Sequence, residues 1–243
     1  MMERAEWLKK AQSQVERLYD QVSPQYWSTA GFGDNKTHLA YLQKFLERVV
    51  PGGRILSAAC GAGRFDGMLL ESGHGVLGID QSAGMLARAK EHFPKVRYQK
   101  MALQEMHFRE TFDGIICMDA MEHICPEDYP GILRSFQEAL RPGGVLYFTA
   151  DRAEDSDDFD LQAYYEQGRA MGLPVVFGEV AEEVISKRKM EKLEVPEEGA
   201  DPVYHYYPPL DKVREWIDQA GLAIEEEGAG SGFHHFVVRR KYS

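Results

Sequence analysis

Between Arg54 and Ala150, short apolar runs alternate with amphipathic stretches of ten or so residues, and this alternation limits the available folds more than any other feature. RILSA, GVLGID, VRYQK, FDGIICM and GVLYFTA read as strands; FDGMLLESG, SAGMLARAKEHF and DYPGILRSFQEAL read as helices. Strands that are apolar throughout, separated by helices, require a parallel sheet covered on both faces. Right-handed crossovers then make it doubly wound. In the last of these helices Ile132, Leu133, Phe136, Ala139 and Leu140 share one stripe, with Arg134, Gln137 and Glu138 off it, and Pro142-Gly143-Gly144 is expected to stop it.

The flanks divide the chain into four parts. Residues 1–50 are expected to form an N-terminal helical cap: Leu8, Ala11, Val15 and Leu18 have helical spacing, the aromatic turn YDQVSPQYW follows, and a second helical pattern runs from Leu39 to Val49. Residues 51–150 are the core. Residues 151–207 begin with six acids in ten positions, DRAEDSDDFD, and stay polar through SKRKMEKLEVPEEGADP, which suits an inserted lid. Residues 208–243 complete the core with a helix from Leu210 to Ala220, closed by Gly221, and a terminal antiparallel pair, LAIEEE and FHHFVVRR. The expected architecture is a Rossmann-like α/β sheet of seven strands, mostly parallel with the last strand antiparallel.

Charge narrows the function classes. The chain has 28 Lys and Arg against 39 Asp and Glu, a formal net charge of −11. Such a surface repels nucleic acid, whose phosphates call for cationic contacts. No apolar stretch reaches the ~18 residues of a membrane span, and MMERAEWLKKAQSQVERL is too charged for a secretory signal. A cytoplasmic protein, monomer or homodimer, acting on a small molecule without nucleic acid or membrane, is the expectation. Cys60, Cys117 and Cys125 have no CxxC spacing and read as reduced thiols rather than a disulfide set or a metal site.

In a doubly wound sheet, ligands bind beyond the carboxyl ends of the strands. The loop after the first strand, Ala58-Ala59-Cys60-Gly61-Ala62-Gly63-Arg64, carries glycines that let a ligand approach main-chain amides at a helix start. The second strand ends in Asp80, 17 residues beyond Gly63, where a carboxylate can accept both hydroxyls of a ribose. Together these indicate a nucleoside-containing cofactor. A dinucleotide fingerprint begun at Gly61 would need a third glycine where Asp66 stands, which weakens the nicotinamide reading, and the P-loop pattern is absent.

Five landmarks in order then make the chain resemble the class I S-adenosylmethionine-dependent methyltransferases: RILSAACGAGRF, GVLGIDQSAGML, KMALQEM, FDGIICMDAMEHI and LRPGGVLYFT. The resemblance covers about residues 54 to 150, and PPLDKVREWIDQAGLAI is similar to the family's closing helix and strand. It implies S-adenosyl-L-methionine as cofactor, with its methionine moiety against Ala59, Cys60, Gly61 and Gly63 and its ribose on Asp80. Gln81 and Met85 would flank the adenine, Met101, Ala102 and Leu103 would enclose its far side, and Met118 and Asp119 would face the reactive end. Tyr19 and Tyr26 sit where similar enzymes fold an N-terminal segment over the cofactor. Two departures stand out: Ser57 replaces an acid that helps hold the amino end in the family, and Ala59 replaces the loop's first glycine. A methyl at 59 is accommodated if the backbone there keeps φ negative.

Methyl transfer from a sulfonium is an in-line displacement that depends on positioning and dryness. A base is needed only where the acceptor must lose a proton. His123, just beyond the fourth strand, and His205, in Tyr204-His205-Tyr206-Tyr207, are the candidate bases. Trp27, Glu122, Tyr204 and Tyr206 are candidates for holding a ring-bearing acceptor. No histidine set has metal-ligand spacing. A cofactor-binding partner subunit without transfer activity and an NAD-dependent reductase are the alternatives.

Overall fold

In the computed structural model, which describes residues 4–29, 36–151, 176–180 and 203–242, the chain opens with α1 (Arg4–Val22), α2 (Tyr26–Thr29) and α3 (Lys36–Leu46). It then alternates β1 (Arg54–Ala58), α4 (Asp66–Glu71), β2 (Gly75–Asp80), α5 (Ala83–His92), β3 (Arg97–Lys100), β4 (Phe112–Cys117), α6 (Tyr129–Ala139) and β5 (Leu140–Asp151). The insertion contributes β6 (Val176–Val180) and β7 (Val203–Tyr207), and after it come α7 (Leu210–Gln219), β8 (Leu222–Gly230) and β9 (Phe233–Arg240).

The main sheet has seven strands in the order β3-β2-β1-β4-β5-β9-β8. The first five are parallel; β9 runs antiparallel to β5 and is paired antiparallel with β8. The expected mostly parallel sheet with an antiparallel last strand is therefore present, and β9 is inserted between β5 and β8. A two-residue turn, Ser231-Gly232, joins the last two strands with both φ positive (54° and 83°), the handedness that matches strand twist.

Strands read as continuously apolar because each face of the sheet carries its own core. On one face Ile115 and Cys117 of β4, Phe148 of β5 and Phe236 of β9 pack with Ile132 and Phe136 of α6 and Val213 and Ile217 of α7. On the other, Ile55, Ile116, Tyr147 and Val237 pack with Leu42 and Phe45 of α3 and Leu69 of α4. One expected boundary moves. Leu140, placed on the helix by its stripe, is the first residue of β5 and pairs with Phe112, so the chain is already extended before Pro142-Gly143-Gly144. Proline disfavours a helical residue before it, and the pairing edge of β4 captures the leucine.

The cap is tied to the core by polar contacts. Asp20 at the end of α1 accepts from Ser82 Oγ at 2.6 Å and from Gly84 N at 2.8 Å, while Ser82 caps α5 through Met85 N. Within the 151–207 insertion, β6 and β7 form a second, two-stranded parallel sheet. Strand β7 lies against α1 and the 3-10 turn Met121–His123. Residues 152–175 and 181–202, including most of the expected lid, are outside the described residues. Among the described residues no helix is long and apolar enough to cross a membrane.

Beneath β9 lies a buried polar stack. His235 is fully buried, faces Tyr147 Oη through Nδ1 at 2.9 Å and donates from Nε2 to the Gly230 carbonyl at 3.0 Å. Burial pushes its pKa down to about 4. The unfolded chain, with an ordinary histidine, binds the proton first, so this group makes folding stability rise with pH between about 4 and 6.5. The buried Asp66 and Asp80, pushed up to about 6, act in the opposite direction. The difference between the wild-type and His235→Gln stability curves, measured by urea unfolding at successive pH values, is expected to change by about 3 kcal/mol across that window. A difference independent of pH would show that His235 is charged in the folded protein.

Candidate functional site

At the carboxyl edge of the sheet, the ends of β1, β2 and β4 and the inner side of α1 enclose a cleft of about 950 Å³ including its open mouth. Its floor is the loop after β1. Cys60 N donates to Ile79 O at 2.9 Å and Gly63 N to Cys60 O at 2.9 Å, which fixes a tight turn. Gly61 faces the cleft with φ 53°, and a Cβ there would stand 3.1 Å from Met85 Cε. Ala59 sits at φ 50°, not at the negative φ its methyl requires for comfort. The flanking hydrogen bonds impose this conformation, at about 1 kcal/mol for a residue with a Cβ.

Gly63 does not reach the cleft, contrary to the sequence expectation. At φ 81° it is packed underneath, where a Cβ would meet Phe93 at 3.0 Å, Asp66 Oδ2 at 3.2 Å and Tyr98 Oη at 3.2 Å. It serves the packing of the loop on α5 and β3.

Asp80 closes β2 and is nearly buried. Its Oδ2 accepts from Gly61 N and its Oδ1 from Ser82 N, both at 2.8 Å. Burial pushes its pKa up to about 6 against the pull of these amides. An ionised carboxylate has about four acceptor positions, so two remain for a pair of hydroxyls. Met85, Met101 and Leu103 supply apolar walls beside it, with Gln81 at the same end. The amide of Met101 donates to Asp80 O and that of Ala102 to Glu105 Oε2, so neither is free to donate to an adenine ring nitrogen. The residues present thus fit a nucleoside, by donor set and by shape.

Strands β2 and β4 flank β1, so the 118–123 segment stands roughly 10 Å from Asp80 across the sheet edge. Met118 and Asp119 line the cleft. Asp119, at φ 51°, donates its amide to Thr149 Oγ1 and divides its carboxylate between His38 Nε2 at 2.7 Å and Arg64 at 2.8 Å. It buckles the cap helix α3 to the glycine loop. His123 lines the cleft from the 3-10 turn, with Nε2 2.9 Å from Tyr19 Oη of α1 and the two rings edge-on. Tyr26 and Cys60 also line it; burial pushes the tyrosine up to about 12 and raises the thiol well above its ordinary value, so both stay protonated.

Several expected acceptor residues are elsewhere. Trp27 packs tilted against His92, centroids 4.2 Å apart, and approaches Phe93, so it fastens α2 to α5 instead of lining the cleft. Tyr206 is buried edge-on to Tyr129 in the core, and Glu122 is buried within the 3-10 turn without lining the cleft. The side chains of Tyr204 and His205 fall outside the described residues. Sequence reasoning missed Gln12, Arg64, Phe65 and Gln104 as lining residues and His38 behind them. Residues 38, 64 and 119 meet only through the fold, and no spacing along the chain announces them.

Residues 55–144 match the family model described as a methyltransferase domain. With this sheet and this glycine loop, the match supports the class I S-adenosylmethionine-dependent methyltransferase superfamily for this part of the chain. An uncharacterized methyltransferase of Synechocystis sp. is 29% identical over 115 residues, 47% of this chain and 53% of that protein. A ubiquinone biosynthesis O-methyltransferase of Histophilus somni is 30% identical over 125 residues, 47% of this chain and 51% of that enzyme. The chain thus spans about half the length of these curated relatives. In fold it is similar to the Burkholderia thailandensis 1,6-didemethyltoxoflavin-N1-methyltransferase, solved with 1,6-didemethyltoxoflavin and S-adenosylhomocysteine: the TM-score is 0.64 at 17% identity, covering 99% of this chain and 92% of that one.

Proposed function

We propose that the protein transfers a methyl group from S-adenosyl-L-methionine to an O, N or C atom of a small, ring-bearing metabolite. The observation that carries this reading is Asp80, its carboxylate held by two amides between the glycine loop and an apolar wall, as a ribose diol requires. The names of the Histophilus somni and Burkholderia thailandensis proteins support a ring-bearing acceptor. When bound, the cofactor supplies an electrophilic methyl on a sulfonium. The chain's part is to orient the acceptor in line and to keep water out. His123, poised by Tyr19, takes the acceptor's proton where there is one to lose. In the same proposal the enzyme works in the cytoplasm as a monomer or homodimer, without nucleic acid or membrane.

Calorimetric titration with S-adenosylmethionine, S-adenosylhomocysteine and NADH tests it. Asp80→Ala is expected to weaken binding of the sulfur ligands by ~1.5 to 3 kcal/mol, roughly ten- to a hundredfold. Wild-type affinity is expected to fall as pH drops below about 6, where Asp80 takes up a proton and loses acceptor capacity. Binding of NADH without either sulfur ligand would replace this reading with a reductase. The strained Ala59 favours one second reading, a cofactor-binding partner subunit, which would bind S-adenosylhomocysteine yet methylate nothing until a second chain is added.

A further inference from the structure

Helix α1 walls the cleft with Gln12, Val15 and Tyr19, so whatever fixes α1 also sets how the cap meets the ligand. Two of its polar contacts, Glu16 with Lys100 Nζ at 2.6 Å and Gln12 Nε2 with Gln104 Oε1 at 3.4 Å, are exposed and hold little. The contact at its last turn is of another kind. Asp20 Oδ1 accepts from Ser82 Oγ at 2.6 Å and from Gly84 N at 2.8 Å, and Ser82 is fully buried. Gly84 is what lets the two elements come so close: a Cβ there would stand 2.5 Å from Ser23 Oγ and 3.2 Å from both Cα and O of Asp20.

Ser82 connects this contact to the ribose carboxylate. Its hydroxyl gives its one hydrogen to Asp20 and accepts from Met85 N at 3.1 Å, while its amide donates to Asp80 Oδ1 at 2.8 Å. The other oxygen of Asp80 is held by Gly61 N at 2.8 Å. One clamp on Asp80 therefore comes from the glycine loop, and the other comes from a serine that the cap holds.

We infer that Asp20 is a positioning residue for the ribose, acting through Ser82 on the carboxylate of Asp80. Its role rests on the reading of the cleft as an S-adenosylmethionine site. With Asp20 docked, the hydroxyl and the amide of Ser82 are both fixed, and the amide sets the plane of the Asp80 carboxylate about its bond from Gly61. Without Asp20, a buried hydroxyl loses its acceptor and the Gly84 amide in the first turn of α5 loses its cap, so the turn that carries the Ser82 amide reorients. The coupling is reciprocal: a ribose that requires this orientation of Asp80 favours the docked cap by the same factor. Tyr19, the residue before Asp20, is thereby held against His123.

S-adenosylhomocysteine and its 2′-deoxy analogue, which lacks one of the two ribose hydroxyls, separate positioning from simple cover. Calorimetry at about pH 8, where Asp80 is ionised, is expected to show a wild-type preference of about tenfold for the ribose ligand. Asp20→Ala is expected to weaken the ribose ligand about fivefold and the deoxy ligand less than about twofold, so that most of the preference is lost. Asp20→Asn keeps an oxygen that accepts from both donors and is expected to retain the wild-type preference. Gly84→Ala, which forces the cap away and leaves the side chains of Ser82 and Asp80 intact, is expected to reproduce the Asp20→Ala result, and it carries the test if Asp20→Ala does not fold. Equal weakening of both ligands would make α1 a cover only, and that result, or no weakening of either, overturns the inference. A wild-type protein that binds the two ligands equally removes Asp80 as the ribose carboxylate, and one that binds neither removes the cofactor reading; the inference falls with either.

Discussion

Replacing His123 with alanine is expected to lower kcat by about a hundredfold on any acceptor whose reacting atom carries a proton, while S-adenosylhomocysteine affinity changes by less than about threefold. The ring lines the cleft beyond β4, and its Nε2 lies 2.9 Å from Tyr19 Oη, which fixes its orientation from the cap. Loss of a positioned base in such a site corresponds to about 3 kcal/mol of transition-state stabilisation. Tyr19→Phe keeps the edge-on ring contact and removes the hydroxyl, so a smaller loss is expected. Single-turnover kinetics on a phenol and on a tertiary amine distinguish the roles, because the amine has no proton to give up. An equal loss on both acceptors would make His123 a wall of the cleft and not a base.

Phe136→Ala is expected to destabilise the fold by about 3 to 5 kcal/mol, a fall in Tm of roughly 10 °C. Phe136 is fully buried on α6, in the cluster shared by β4, β5, β9 and α7. Truncation there removes apolar burial and leaves a cavity among strands that hydrogen bonding holds in register, so the site collapses poorly. Phe136→Leu, closer in volume, is expected to lose less than about half as much. Chemical unfolding with matched m-values measures the difference; a loss under about 1 kcal/mol for the alanine variant would mean that the core repacks.

Cofactor affinity and fold stability are expected to respond to acid in different ways. Protonation of Asp80 near pH 6 weakens the ribose contact while relieving a buried charge, so it favours the empty fold over the loaded one. His235 works against the fold in the same range, since its ring is buried between Tyr147 and the Gly230 carbonyl, where an added proton brings a charge out of reach of water.

Much of this protein was legible from local patterns, because local patterns decide local states. RILSA and GVLGID have the bounds of β1 and β2, and Gly221, at φ 74°, stands just beyond α7 where a left-handed residue ends a helix. Asp80 was identifiable for a similar reason: a carboxylate at the end of a strand, a fixed distance from a glycine loop, is a short-range signature. Gly61 faces the cleft and Gly63 the packing below, although one motif contains both, since the direction of each depends on what α5 and β3 place beneath the loop. Aromatic residues were the least legible. Trp27 and Tyr206 fill gaps between helices and strands, because an apolar ring satisfies a core as readily as a cleft.

The sequence by itself determined the alternation of strands and helices, the two-faced sheet, the glycine loop and the acid that follows β2, all consequences of periodicity and turn chemistry over a few residues. Tertiary structure alone decided that Asp119 would be shared by His38 and Arg64, that Tyr19 would meet His123, and that Asp66 would meet Tyr98. These residues are far apart or differently oriented along the chain. They come together because parallel strands bring their carboxyl ends to one edge and the cap closes over it, and contacts of that kind leave no trace in local spacing.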